Sequence, residues 1–200
     1  MVKYFHFHNL RSGEHFDHEL KSEQCEHRIG NVQCRKRCLI GLSICWIHLL
    51  NNYNLRIKKS TIANAGLGLF AMIKNTPDDD HTVVFTKGET LCFYNGEILT
   101  LEQHLGRYNT EAAPYTAQLH RCNGIQMYED ASVERGIGSL INHSVRRFNC
   151  RMSITRDNTI SFVATKDICN HCEILVNYGR SYKFNVLHTR SGTNNKRLSL

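Results

Sequence analysis

The sequence has no long hydrophobic run. Its most apolar stretch, Cys38 to Leu50, is too short to span a bilayer, and Met1 to Leu10 carries histidines where a secretory signal needs a continuous apolar core. These absences predict a soluble, intracellular protein with no secretion signal and no membrane partner. There is no internal repeat and no low-complexity segment. The 200 residues, 41% of them apolar, suffice for one packed domain with a small appendage. Strands do not alternate with helices, so a parallel α/β sheet is not expected. Acidic residues are in the minority, 18 against 25 basic, and the formal net charge of +7 favours an acidic partner such as nucleic acid or chromatin. Arg180 to Leu200 contains no cysteine, although the chain has nine.

That odd number, in a reducing compartment, points to metal ligands or small buried hydrophobes before disulfides. Cys25, Cys34, Cys45 and His48 follow one another at intervals of eight, ten and two residues, with Cys38 between the second and third. Four soft ligands in so short a span suit tetrahedral zinc, which would staple a segment too small to fold on its own core. The closing Cys45-Trp-Ile-His48 is the sharpest element, because a single turn can present sulfur and imidazole to one ion. The spacing leaves open whether Cys34 or Cys38 is the second ligand. Cys169-Asn-His-Cys172 also has a metal or redox spacing, but it reads better as a simple turn.

Residues 1–24 are polar, with His6, His8, His15 and His18 and no sustained period, and predict a flexible arm. His15 and His18 read as exposed histidines. From Leu55 the pattern turns to short strands. Leu55 and Ile57 alternate with charges, and Thr90 to Tyr94 sets Cys92 and Tyr94 on one face and Leu91 and Phe93 on the other. Asn95-Gly96 closes that strand. Thr100-Leu-Glu-Gln103 is a capping box for a short helix ending near Gly106. Tyr108 to Met127 is weakly patterned. Arg151 to Arg156 and Thr159 to Thr165 form a hairpin across Asp157-Asn158. The expected class is mainly β, with one or two short helices.

Three blocks then stand in order over about 115 residues: Ala65-Gly-Leu-Gly-Leu-Phe70, Gly138-Ser-Leu-Ile-Asn142-His143-Ser144, and Glu173-Ile-Leu-Val-Asn-Tyr178-Gly179. Together they resemble the SET domain of protein-lysine methyltransferases. The resemblance implies a β-clip in which the Asn142-His143 and Asn177-Tyr178-Gly179 segments cross like a pseudoknot. It places the domain over 54–184, after a zinc module at 25–50 and before a tail at 185–200. The Cys/His module is similar to one that recurs in proteins of large DNA viruses, and that likeness favours Cys34 over Cys38.

The implied cofactors are S-adenosylmethionine and a structural Zn2+. Tyr178 matches the catalytic tyrosine, whose hydroxyl lies beside the transferring methyl, and Tyr94 matches the tyrosine that walls the lysine channel. Asn142 and His143 match the pair that holds the adenine and ribose end of the cofactor. The backbone of Leu67, Gly68 and Leu69 matches the edge approached by its methionine end, where a side chain on Gly68 would block access. Some positions depart from the family. Ser139 and Leu140 replace an arginine and an aromatic, Val145 to Asn149 replaces a Cys-x-Pro-Asn, and Val176 replaces an aromatic that helps set how many methyl groups are added. The cysteine-rich closing segment is missing, which leaves Tyr182, Phe184 or a partner subunit to close the channel and points to a homodimer.

The expected activity is methyl transfer to a lysine of a basic protein tail such as a histone, which would place the protein in the nucleus. The alternatives are a catalytically silent SET fold that only binds, and a nucleic-acid-binding protein led by the zinc module and by Arg28, Arg35, Lys36, Arg37, Arg56, Lys58 and Lys59.

Overall fold

The computed structural model describes residues 2–8, 15–21, 23–39, 42–63, 65–75, 77, 81–109, 113, 115–132 and 135–179. Tyr182, Phe184 and the 185–200 tail lie outside the described residues. At the N-terminus, within the stretch 1–24 read as a flexible arm, β1 (Val2–His8) pairs antiparallel with β2 (His15–Lys21). Backbone pairing needs no side-chain period, so none was visible. A two-residue hairpin, β3 (Arg28–Ile29) with β4 (Val32–Gln33), precedes α1 (Trp46–Tyr53).

Next come β5 (Leu55–Lys59) and β6 (Leu67–Ala71), an antiparallel pair. They are followed by β7 (Val83–Phe85), β8 (Thr90–Tyr94), β9 (Glu97–Thr100), α2 (Leu101–Tyr108), β10 (Thr116–Gln118) and β11 (Met127–Asp130). A 3-10 turn at Ile137–Leu140 leads into β12 (Asn142–His143). The chain ends its described course with β13 (Cys150–Ile154), β14 (Ile160–Ala164), β15 (Ile168–Cys169) and β16 (Leu175–Val176). None of the described helices is long and apolar enough to cross a membrane.

The central sheet has the order β12-β16-β13-β14-β8. The β13–β14 and β14–β8 pairings are antiparallel, but β16 runs between β12 and β13 and parallel to both. The last strand therefore passes through the loop that joins β12 to β13, which is the expected crossing of the Asn142-His143 and Asn177-Tyr178 segments. The main core lies beneath this sheet, with Leu49, Leu55, Leu69, Ile141, Phe162 and Ile174 among its fully buried members. Phe93 turns outward as alternation predicts, but Leu91 is buried along with Cys92 and Tyr94.

Helix α2 starts at the capping box: Gln103 N–H bonds the Thr100 side chain, and Gln103 reaches back to the Thr100 N–H. It runs past Gly106 to Tyr108, because Asn109 takes the left-handed conformation (φ 51°) that closes the last turn. Beneath it lies a buried polar cluster that sequence reasoning missed. The Arg107 guanidinium donates to Asp130 and to Glu97, both at 2.7 Å, and Tyr108 donates to Asp130 at 2.7 Å and to Ser132 at 3.1 Å. Asp130 is fully buried. Removing one partner of a buried pair strands the other charge, which costs about 3 to 5 kcal/mol. Arg107→Met is therefore expected to lower the unfolding free energy by about 3 kcal/mol in denaturant titration, whereas a variant at exposed Arg121 should change nothing measurable.

Candidate functional site

Tyr178 follows β16, and its placement depends on the crossing. Its hydroxyl donates to the Ile141 carbonyl at 2.6 Å, and its backbone N–H donates to His143 Nδ1 at 3.0 Å. The two rings stack with centroids 5.2 Å apart. An N–H on Nδ1 requires that atom to be unprotonated, and burial also lowers the His143 pKa, so both features favour neutral imidazole. Tyr94, on β8, donates instead to the Tyr115 carbonyl and packs edge-on to Phe162. Tyr94 thus ends the edge strand β8, whereas Tyr178 follows β16, the strand next to the opposite edge strand β12, and the two bond different carbonyls.

The 3-10 turn is pressed onto β8. Gly136 N–H bonds the Asn95 carbonyl at 2.8 Å, and a Cβ on Gly138 would fall 2.7 Å from the Phe162 ring and from the Phe93 carbonyl oxygen. Glycine is required at 138 for that close approach. Ser139, where the family often has an arginine, bonds the Gly136 carbonyl at 2.8 Å and so tightens the turn. Val176 is buried in the core.

Asn142 is half-buried at the start of β12. Its Nδ2 donates to the Leu67 carbonyl at 2.9 Å and to Glu173 Oε1 at 3.3 Å. Both amide hydrogens are then engaged, while Oδ1 takes no hydrogen bond among the described residues. Leu67 is 44% exposed at the strand edge and Leu69 is wholly buried in the core. Gly68 lies over the Glu173 carboxylate: a Cβ there would overlap Glu173 Oε1 and come within 3.1 Å of Asn142 Nδ2. The glycine is thus needed for the packing of Glu173, which is a different reason from the cofactor access expected.

Glu173 opens the third block, yet its role was not legible there. It is buried, and it accepts hydrogen bonds from the Ser60 hydroxyl at 2.6 Å, the Thr61 N–H at 2.7 Å, the Thr61 hydroxyl and Asn142. Burial opposes its ionisation, but these bonds outweigh burial and hold its pKa below the usual glutamate value. Arg147 in turn donates to the Thr61 hydroxyl.

A second centre lies in the N-terminal module. The ligand atoms of Cys25, Cys34, Cys45 and His48 all lie within 4.8 Å of one another. Cys45 is the N-cap of α1 and His48 sits in its first turn, which brings His48 Nδ1 to 3.4 Å from the sulfurs of both Cys25 and Cys45. His27 stacks on His48 at 3.8 Å. Burial works against ionising Cys25, but the Cys45 and His27 N–H groups and the His48 ring bring its pKa down to about 6. Burial and the neighbouring Cys25 push Cys38 up to about 12. Cys38 is packed in the same small core but is not one of the four. The set of three sulfurs and one imidazole, preassembled and of suitable softness, could hold a zinc ion.

The SET domain family model matches residues 82–179. The fold is that of a SET domain. The Ala65–Phe70 block precedes the matched range but is bonded into the domain, since Ile174 N–H meets the Leu69 carbonyl at 2.8 Å and Ala71 N–H meets Cys172 at 2.9 Å. Among solved structures, the chain is similar to polycomb repressive complex 2 of Chaetomium thermophilum, with a TM-score of 0.52 and 24% identity over 65% of this chain. It is also similar to a form of that complex in an autoinhibited conformation bound to S-adenosylmethionine, with a TM-score of 0.50 and 23% identity over 65% of this chain. In each case the match covers 16% of the other chain. The methyltransferase domain of human PR domain-containing protein 2 matches at 17% identity and a TM-score of 0.49, over 69% of this chain and 87% of that one. No curated protein matches the sequence.

Proposed function

We propose that this protein is an S-adenosylmethionine-dependent protein-lysine N-methyltransferase acting on a basic protein tail such as a histone tail. The observation that carries this reading is the convergence of Tyr178, His143 and Ile141 at the strand crossing of a SET fold. S-adenosylmethionine supplies an electrophilic methyl on a sulfonium. The residues present fit such a group on one count: Asn142 Oδ1 is an acceptor held in place by its own amide's two bonds, and no donor among the described residues takes it. Tyr178 has the role of orienting the reacting centre from a hydroxyl fixed against Ile141, and neutral His143 fixes the Tyr178 backbone. A lysine amine must arrive uncharged, so walls that exclude water, with Tyr94 among them, do much of the work. Zinc, held by Cys25, Cys34, Cys45 and His48, has a structural part only.

The direct test is transfer of labelled methyl groups onto core histones and lysine-bearing proteins; a folded wild type that labels none of them overturns the enzymatic reading. The cofactor side is tested separately. Asn142→Ala combined with His143→Ala is expected to weaken S-adenosylmethionine binding by at least about 30-fold in calorimetry, since each of the two lost hydrogen bonds in a part-buried site costs about 1 to 3 kcal/mol. Unaltered affinity in a folded double variant would move the site elsewhere.

A second reading has one observation in its favour. Arg28, Arg35, Lys36, Arg37, Arg56, Lys58 and Lys59 are all exposed, on or near the zinc module. They suit a supporting contact with nucleic acid, and that contact should weaken steeply as salt rises. The domain limits of 54–184, a nuclear location and a homodimer belong to the same proposal.

A further inference from the structure

The Glu173 carboxylate is unusual in what surrounds it. It is buried, it is held in its charged form, and all its hydrogen-bond donors among the described residues are neutral: two hydroxyls, a backbone amide and a carboxamide. The nearest cation in this network, Arg147, is one step removed and touches the Thr61 hydroxyl. A negative charge without a paired cation projects its field further in a buried setting than on the surface, because little solvent screens it. That field emerges at the Gly68 strand edge and at Asn142, whose amide lies between the carboxylate and the Leu67 carbonyl.

On the cofactor placement proposed above, the ligand lies beside Asn142 and the Gly68 strand edge, the proposed cofactor cleft, and changes charge during the reaction. Before transfer its sulfur is a cationic sulfonium; afterwards it is a neutral thioether. We propose that Glu173 makes the cleft a charge discriminator, favouring the sulfonium substrate over the thioether product by electrostatic attraction while orienting Asn142 for both. The consequence is functional. A product that loses this attraction on losing its methyl leaves more readily, so Glu173 opposes product inhibition.

The test measures the affinities of S-adenosylmethionine and S-adenosylhomocysteine for the same protein by calorimetry. Glu173→Gln keeps the shape and removes the charge, and it is expected to lower the sulfonium-to-thioether affinity ratio about tenfold, mainly through the sulfonium. An amide at 173 turns an NH2 toward the donors of Ser60 and Thr61, so this variant is open to misfolding. Arg147→Gln provides the opposite change at an exposed position, removing the nearest cation, and is expected to raise the ratio about threefold. Equal weakening of both ligands in Glu173→Gln overturns the discriminator and leaves Glu173 a structural residue. An unmoved ratio in Arg147→Gln overturns it where the first variant does not fold. Wild-type protein that binds neither ligand sinks the cofactor placement itself, and this inference with it.

Discussion

Tyr178→Phe should lower methyl transfer by at least about 100-fold while leaving S-adenosylmethionine affinity within a few-fold of wild type, because the lost hydroxyl acts on the reacting centre more than on the bound ground state. The structure adds a reason to expect a clean result. The hydroxyl donates to one backbone carbonyl, Ile141, while the ring stays stacked on His143 and the Tyr178 N–H stays on His143 Nδ1. Phenylalanine keeps the latter two contacts, so the crossing holds and the change is confined to one polar atom. The stability cost should be about 1 kcal/mol, the usual size of a single hydrogen bond. Wild-type activity should rise from neutral to alkaline pH, since the fraction of lysine amine already deprotonated grows toward its pKa of about 10.4. Wild-type turnover by Tyr178→Phe, measured with labelled cofactor, would rule out the proposed role of the hydroxyl.

How much of this was legible from the sequence differs by element, for physical reasons. The short strands β5 and β13 show in the alternation of apolar and polar residues, whereas β8 and β14 carry buried residues on both faces and show as short apolar runs between turn residues. The start of α2 shows in Thr100 and Gln103, whose side chains act locally. Its end was misjudged at Gly106, since asparagine at 109 takes the left-handed position that glycine more often fills. Strand β16 is only two residues long, and its pairing with β12 and β13 joins positions more than 25 residues apart, so only the resemblance to a known family made the crossing visible. Glu173 and Asp130 were missed for a related reason. A buried carboxylate in a strand, as Asp130 is, or beside one, as Glu173 is, looks like any outward-facing acid until the fold brings Ser60, Thr61 and Asn142, or Arg107 and Tyr108, onto it.

Cys45→Ser should abolish zinc binding and lower the melting temperature by about 10 °C or more, because a structural zinc site contributes its binding energy to folding. Apolar burial alone does not hold this module together: its own core among the described residues consists of Cys25, Cys38, Leu42 and Cys45, too little apolar surface to fold alone. The loss should also reach the cleft. Ile57, Ile137 and Leu140 pack against both the small core and the main one, and Ile137 and Leu140 belong to the 3-10 turn that leads directly into Ile141, Asn142 and His143. A module that comes apart withdraws one side of the support for that turn, and with it the fixed position of the Ile141 carbonyl on which the Tyr178 hydroxyl rests. Zinc removal by chelator, or Cys45→Ser, is therefore expected to weaken S-adenosylmethionine binding several-fold even at temperatures where the SET domain remains folded. Cys38→Ser distinguishes this from general damage to the small core, since Cys38 is buried there but is not one of the four ligands: it should keep one zinc per chain in metal analysis and retain cofactor affinity. A Cys45→Ser protein with full zinc content and an unchanged melting curve would overturn both the ligand assignment and the coupling to the cleft.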